Sequence, residues 1–361
     1  MTKPNQSART PATTPAPSNN HDNDTLQPAH PDAIVRGVAP EGSREPEREP
    51  LRAVLPVVPM DRRTPFVFPW NDAGSTIPER DRSVLAALVL LRLLSYDQLH
   101  RLLFAERDRS ALRHRLAALA KGGWIARWDR ARTTTRAERY ALPTAQTLDA
   151  AIAAIRLRAD GTTFGALVAQ MLPKVRRPLV LAAVRDPKWL QHQREVNDLV
   201  ISIVATRSIA WASTWDAPFA SKAGIVDLPQ PDYVLVERHG GTSELVFGEH
   251  DRGNEPVDRF IARKIGPYVN LLRFPEVLRE HCGTGTFRVD VSVLDARAQR
   301  PIRRLMELLD AAAASEHPQL FRFTLAGWLA AHPEDPTWFT AANPPQSESV
   351  AWDDHAISRA H

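Results

Sequence analysis

Cysteine and long apolar segments are both scarce in this chain, and each absence excludes a class of protein. Cys282 is the only cysteine among 361 residues, so an internal disulfide and a zinc cluster built from cysteines are excluded. The longest apolar run, residues 84–91, is much shorter than the roughly 20 residues of a membrane-spanning helix. The first residues also lack the apolar core of a secretory signal. We therefore expect a cytoplasmic protein with no membrane partner.

Helical and strand periodicity are missing at both ends of the chain. Residues 1–75 are rich in proline and small polar side chains, which predicts a disordered tail, and residues 341–361 predict a second flexible tail. Between the tails, the pattern of apolar and polar residues divides the chain into three segments. It predicts a DNA-binding domain at 79–142, a helical linker at 143–188 and an α/β domain at 189–340, so the fold class is α+β or α/β.

Positive charge is concentrated in one short block of the chain. The net charge is only +4, but residues 79–142 contain fourteen Lys or Arg against seven Asp or Glu. The rest of the chain is therefore slightly acidic. A local basic excess of this kind indicates a polyanion as partner.

The order of elements in residues 79–142 is typical of a winged helix-turn-helix. Apolar spacing predicts a first helix, and Ser95 with Gln98 forms a capping box that starts a second. A third helix begins at Asp108 or Ser110. The strands WIARW and RYALP follow, joined by the basic loop RARTTTRAE. In such domains the last helix of the motif enters the major groove of double-stranded DNA, and the hairpin contacts the backbone.

Basic and polar residues cluster at the start of the third helix and in the hairpin. Arginine pairs with two acceptors of guanine, and the loop residues suit phosphate oxygens. A solvated charged helix, or a protein-docking module, is the alternative interpretation. The predicted DNA-binding residues are Arg109, Ser110, Arg113, His114, Arg115, Arg130, Arg132 and Arg136.

Acidic residues stand at the ends of two predicted strands in the second domain. Asp232 begins PDYVLVER, and Glu249 and Asp251 end SELVFGEHD. Adjacent strands would bring the three carboxylates to one divalent ion such as Mg²⁺, which phosphodiester cleavage commonly uses. We therefore treat them as a hypothetical metal site and hypothetical catalytic residues.

These residues also carry a resemblance to known families. The second domain resembles the PD-(D/E)XK nuclease fold, and the run from 79 to 340 resembles the replication-relaxation family of plasmid and mobile-element proteins. The matching residues are His192, Asp232, Glu249, Asp251, Gly253, Glu255, Lys264 and Tyr268. The sequence departs from the nuclease pattern where Asp251 stands in place of the motif lysine. Lys264, on the following helix, could return an ammonium group to the site, so it joins the hypothetical catalytic set.

The resemblance implies a DNA-binding accessory in the replication, relaxation or mobilisation of a plasmid or integrative element. A relaxase or replication protein is the implied partner, and a homodimer would bind paired half-sites. Two alternatives stay open. One is a metal-dependent nuclease, and the other is a transcription regulator whose second domain is not catalytic.

Overall fold

The computed structural model describes residues 77–130, 138–156, 184–215, 228–294, 301–331 and 337–345. These residues belong to one compact unit. They form helices and two sheets, which confirms a mixed α and β class. No helix in these ranges is both long and apolar enough to cross a membrane. The predicted N-terminal tail, Arg132, Arg136, the side chain of Arg130, most of the linker and the chain beyond 345 lie outside the described residues.

Three helices open the described chain. They are α1 (Glu79–Leu91), α2 (Tyr96–Leu103) and α3 (Arg109–Lys121). The predicted capping box is confirmed, since the Gln98 amide donates to the Ser95 hydroxyl and the Ser95 amide donates to the Gln98 side chain. Of the two candidate caps for α3, Asp108 is the one used, and its carboxylate accepts from the Ser110 amide at 3.1 Å.

A three-stranded antiparallel sheet packs against these helices. Its strands are β1 (Leu94–Ser95), β2 (Ile125–Arg130) and β3 (Glu138–Pro143), in the order β1-β3-β2. Alternation separates its two faces. Ile125 and Ala141 join the main core, whereas Tyr140, packed on Trp128 with ring centroids 5.5 Å apart, joins a second apolar cluster that contains Leu190.

The second half of the chain builds a five-stranded mixed sheet. Helices α4 (Ala145–Arg156) and α5 (Pro187–Thr206) precede it. The strands, which lie in chain order across the sheet, are β4 (Ile209–Ser213), β5 (Tyr233–His239), β6 (Thr242–Asp251), β7 (Arg288–Val293) and β8 (Phe321–Leu325). The first three strands are antiparallel neighbours, and β7 and β8 run parallel to β6.

Helices make the parallel crossovers of this sheet. From β6 the chain passes through α6 (Val257–Phe260), a π-helical turn (Ile261–Ile265), α7 (Gly266–Leu271) and α8 (Pro275–Cys282). Helix α9 (Pro301–Ala313) leads to β8, and α10 (Ala326–Ala331) follows.

The π-helical turn has a local cause. Pro267 has no amide hydrogen to donate four residues back, and its ring crowds the carbonyl at that position. The wider turn at Ile261–Ile265 relieves this conflict, and such turns are frequent at functional sites. It also determines which side chains of the helix face the sheet.

Glycine is required where β5 and β6 pair. Tyr233 lies opposite Gly248, and the Tyr233 ring fills the space that a Cβ on Gly248 would occupy. The two strands therefore approach closely at the point where Asp232 and Glu249 flank this pair.

Hydrogen bonds join the first three helices to the second half of the chain. The carbonyl groups at the end of α1 accept hydrogen bonds from the second half of the chain. The Leu90 carbonyl accepts from the Thr214 amide at 3.0 Å, and the Val89 carbonyl accepts from the Trp215 indole. Asn197 on α5 donates to the Leu93 carbonyl at 2.6 Å. Polar groups at the end of α1 are thus satisfied by the second half rather than by water.

Arg92 reinforces the same junction. It has a left-handed backbone, with φ of 68°, and its guanidinium lies 5.5 Å and 5.2 Å from the ring centres of Trp189 and Trp215. Two cation–π contacts stabilise a conformation that a non-glycine residue adopts at a cost.

Asp290, in the middle of β7, is the centre of a buried ion-pair network. Its carboxylate accepts from Arg207 at 2.8 Å, from Arg288 at 3.0 Å and from Arg322 at 2.9 Å. The Trp338 ring lies against Arg207 and Arg322. Because every guanidinium here faces an acid or a ring, the network is structural.

Candidate functional site

Helix α3 presents polar residues on one face and apolar residues on the other. Leu112, Leu116 and Leu119 are buried in the core. The residues on the solvent side are Arg109, Ser110, Arg113 and His114, all of them exposed. Four of the predicted DNA-binding residues therefore lie together on one accessible surface, which we call the α3 face.

Arg115 has a different setting from its predicted neighbours. Its guanidinium pairs with the buried carboxylate of Asp81 on α1, with Nε 2.8 Å from Oδ1 and a second bond from Nη2 to Oδ2. This two-point ion pair holds α3 against α1. The sequence places Arg115 among the DNA-binding residues, but its head group faces α1, so we leave it out of the α3 face.

A cleft of about 390 Å³ lies beside the α3 face and was not predicted. Its lining residues are Tyr96, Arg113, Arg127, Asp129 and Arg139. Arg127 and Arg139 belong to the hairpin strands, whereas the sequence prediction chose arginines of the hairpin loop. Strand alternation was the available signal, because Arg127 and Asp129 are two residues apart and Asp129 lies opposite Arg139.

Strand pairing brings Asp232 and Glu249 together. The Asp232 amide donates to the Gly248 carbonyl at 2.8 Å, and the Asp232 carboxylate accepts from the His250 amide at 2.8 Å. His192 on α5 lies 3.1 Å from the other Asp232 oxygen. The start of β5 is therefore fixed against the end of β6.

Lys264 and Tyr268 both reach Glu249 from the helix that contains the π turn. The Lys264 ammonium donates to Glu249 Oε2 at 2.5 Å and the Tyr268 hydroxyl donates to Oε1 at 2.6 Å. Lys264 also donates to the Gln230 carbonyl at 3.2 Å. The expectation that Lys264 projects back toward Glu249 matches this geometry. We call Asp232, Glu249, Lys264, Tyr268 and His192 the carboxylate site.

Burial and charge act differently on the members of this site. Burial raises the pKa of the Glu249 carboxyl group to about 7, although Lys264 lowers it. Burial also raises the pKa of Asp232, but the His192 hydrogen bond and the charge of Lys264 outweigh burial and hold that pKa below its usual range. Burial lowers the pKa of Lys264, but Glu249 and Asp232 outweigh it and raise that pKa. Burial lowers the pKa of His192, but the Asp232 hydrogen bond outweighs burial and raises that pKa. Glu249 thus exchanges a proton near neutral pH.

Asp251 does not share this environment. Both of its oxygens accept from Arg304 on α9, at 2.7 Å and 3.3 Å, and the pair is buried. Among the described residues, the ligand atoms of Asp232, Glu249 and Asp251 do not form a group within 4.8 Å of one another. The sequence prediction joined Asp251 to the other two because of its place at the strand end, but Arg304 from a distant segment was not visible in that pattern.

The comparison with known proteins places these features in a family. The family model for replication-relaxation proteins matches residues 85–286, more than half of the chain. The chain belongs to the replication-relaxation family. No curated protein and no solved structure matches it.

The replication-relaxation segment contains both candidate sites. The α3 face, the cleft and the carboxylate site all lie within residues 85–286, whereas Asp81, Asp290 and Arg304 lie outside it. The family therefore points to a role in replication or relaxation of a plasmid or similar element, and both sites are candidates for that role.

Two further groups of titratable residues adjoin the sheet. Glu195 lies between Arg252 and His250, with its Oε2 at 2.8 Å and 3.4 Å from their nitrogens. Glu237, His239 and Glu244 have ligand atoms within 4.8 Å of one another. Arg288 donates to both carboxylates of this trio, so an internal cation already neutralises it.

Proposed function

We propose that this protein is a DNA-binding accessory in replication, relaxation or mobilisation of a plasmid or integrative element. The observation that carries the proposal is the α3 face, with basic and polar side chains exposed at the start of one helix. The family membership supplies the biological setting. A relaxase or replication protein is the proposed protein partner, and a homodimer on paired half-sites is the proposed assembly.

The arrangement around α3 supports a winged helix-turn-helix. Helices α1, α2 and α3 are followed by the β2–β3 hairpin, and the short strand β1 completes its sheet. In winged helices, the second helix of the motif reads base edges in the major groove. Here that helix is α3, and Arg109 and Arg113 stand one turn apart at its start.

Charge and geometry favour duplex DNA as the ligand of this surface. Arg109 has its Nη1 3.1 Å from Asp97, but both side chains are more than half exposed, so water screens the pair and a phosphate can replace it. An arginine that pairs with guanine through two hydrogen bonds gives about 1–3 kcal/mol of discrimination. Arg109 and Arg113 could therefore give the protein a preference for DNA sites with guanine at the contacted positions.

A mobility-shift experiment tests the proposal. Full-length protein is titrated into duplex DNA from its own element, and bound sequences are recovered by selection from a random pool. Arg109→Ala and Arg113→Ala should each weaken binding by about tenfold or more and relax the selected sequence. Arg273→Ala is the matched control, because it removes an exposed arginine distant in sequence. Failure to retard any duplex at low salt contradicts the proposal.

A metal-dependent nuclease of PD-(D/E)XK type is the second candidate function. The specific observation in its favour is the meeting of Asp232, Glu249 and Lys264 at one end of β5 and β6. The order helix, three antiparallel strands, helix, parallel strand, from Pro187 to Val293, is compatible with that fold.

The carboxylate site fits one hard divalent ion in its chemistry. Glu249 is buried and Asp232 is partly exposed. With Glu249 deprotonated and His192 neutral, these two carboxylates outnumber the single charge of Lys264, and carboxylate oxygens are the ligands Mg²⁺ prefers. Asp232 and Glu249 would hold the ion, which would polarise a phosphodiester and activate water. Asp251 would not, because Arg304 occupies both its oxygens. Lys264 and Tyr268 hold Glu249 in place, and His192 orients Asp232.

Plasmid cleavage separates these functions. Supercoiled plasmid is incubated with Mg²⁺ or Mn²⁺ and wild type, Asp232→Asn or the exposed control Asp258→Asn. A nuclease cleaves in the wild type and the control but not in Asp232→Asn. Equal integrity of the plasmid in all three removes the nuclease candidate and leaves DNA binding. Promoter-specific binding without any effect on element replication would favour a transcription regulator.

A further inference from the structure

The cleft beside α3 combines an open shape with an excess of positive charge. Among the residues that the structure describes, the lining contains three arginines and one aspartate. They come from three elements: Tyr96 begins α2, Arg113 is on α3, and Arg127 and Arg139 are on the hairpin. Because these elements pack through the main core, the positions of the charges are fixed by the fold.

The aspartate neutralises only part of this charge. Arg139 lies 3.6 Å from Asp129, and the two side chains are at least half exposed. Within the described part of the chain, no ion pair with a carboxylate is recorded for Arg113 or Arg127. The Arg127 guanidinium is close enough to the Tyr96 hydroxyl to lower its pKa, against the larger raising effect of burial. The cleft therefore offers guanidinium groups and a hydroxyl to an anion.

We propose that the cleft binds one phosphodiester group of the DNA whose bases face α3. Guanidinium groups match phosphate oxygens in two-point geometry, and a tyrosine hydroxyl is a common additional donor. Arg113 belongs to both the α3 face and the cleft, so the two surfaces are continuous. This inference rests on the proposed DNA-binding function and assigns a backbone-holding role to Tyr96, Arg127 and Arg139, whereas Arg113 borders both surfaces.

The Tyr96 hydroxyl suits that role. Burial raises its pKa, although Arg127 lowers it, so the group keeps its proton near neutral pH and can donate. A carboxylate at this position would repel phosphate instead. The volume of about 390 Å³ also accommodates more than a bare ion, which agrees with a backbone phosphate that brings its sugar.

Salt dependence of binding provides the test. The double variant Arg127→Gln, Arg139→Gln should bind duplex DNA at least about tenfold more weakly at moderate salt, and the slope of log K against log salt should fall by about 1–2. The selected DNA sequence should stay that of the wild type, in contrast to Arg109→Ala. Because Arg127 and Arg139 are exposed, neither change threatens folding. Arg273→Gln is the matched control.

A second arm identifies the group that is bound. Duplexes with a single neutral methylphosphonate at successive positions should show one position whose loss weakens the wild type but not the double variant. An unchanged salt slope in the double variant, or no such position, overturns the inference while loss of binding in Arg109→Ala still supports DNA binding. Thermal protection by inorganic phosphate that the double variant loses, with unchanged DNA binding, also overturns it and assigns the cleft to free phosphate. Failure of all variants and wild type to bind duplex DNA rejects both proposals together.

Discussion

Asp290 illustrates how a single buried acid depends on its partners. Burial would raise its pKa, but Arg207, Arg322 and Arg288 outweigh burial and hold the pKa below its usual range. A carboxylate whose pKa is depressed by folding stabilises the folded state above the unfolded pKa. That contribution is lost as pH falls through the folded value.

The resulting prediction concerns acid stability. Asp290→Asn should be less stable than wild type at neutral pH by about 3 kcal/mol or more, since it removes the buried carboxylate that three arginines share and leaves Arg322 without a carboxylate partner among the described residues. The difference should shrink as pH falls below the ordinary aspartate value of 3.8. Urea unfolding of both proteins between pH 7 and pH 2 measures it. A difference that stays constant over this range contradicts the assignment.

The contribution of Glu249 to the free energy of unfolding should change with pH in the opposite direction from that of Asp290. Its pKa is raised by burial to about 7, above the ordinary value of 4.5. The folded state therefore binds a proton more tightly, and the stability that Glu249 contributes is present below pH 4.5 and lost as pH rises through 7. Glu249→Gln should be less pH-dependent than wild type in this window. Urea unfolding at pH 4.5, 6 and 8 is the measurement, with the exposed Glu276→Gln as control.

At the scale of elements, the start of α2 depends on one hydroxyl. Ser95→Ala removes the acceptor of the Gln98 amide and should cost about 1 kcal/mol of unfolding free energy. Ser83→Ala, in the middle of α1, removes only a hydroxyl that donates to the Glu79 carbonyl and should change stability by less than about 0.5 kcal/mol. Equal effects of the two changes would argue against the capping role.

Elements with strong local patterns were predictable from the sequence. The apolar run of α1, the capping box of α2 and the apolar runs of β5 and β6 each indicate an element without distant partners. Strand β1 has two residues, too few for a period, and exists because it pairs with β3. The π turn has its cause in the single residue Pro267, whose effect on the helix is not expressed in apolar periodicity.

The candidate sites were predictable to the extent that they lie on single elements. Arg109 and Arg113 share a helix, and Asp232 and Glu249 stand at strand ends, so spacing located them. Arg115 and Asp251 were grouped with these residues because their partners, Asp81 and Arg304, come from other segments. Ion pairs between residues that are distant in the sequence cannot be predicted from the spacing of residues within one element.

At the scale of the whole molecule, the two halves should unfold together. Asn197→Ala removes the buried donor to the Leu93 carbonyl, and should lower the unfolding free energy by about 1–3 kcal/mol while one cooperative transition persists. Gln191→Ala, at an exposed position of the same helix, is the control and should have little effect. Circular dichroism and tryptophan fluorescence should report the same midpoint. Separate midpoints in the wild type would show independent halves.

The hydrogen bonds at the end of α1 also affect any attempt to transfer the three helices and the hairpin, residues 79–143, into another protein. A segment that ends at Pro143 would leave the carbonyl groups of Val89 and Leu90 without their hydrogen-bond donors. It would also expose the Tyr140 ring, which packs in a cluster with Leu190. A successful donor segment must carry α5 and the β4 end with it, so the smallest segment that can be transferred is larger than the three helices and their hairpin.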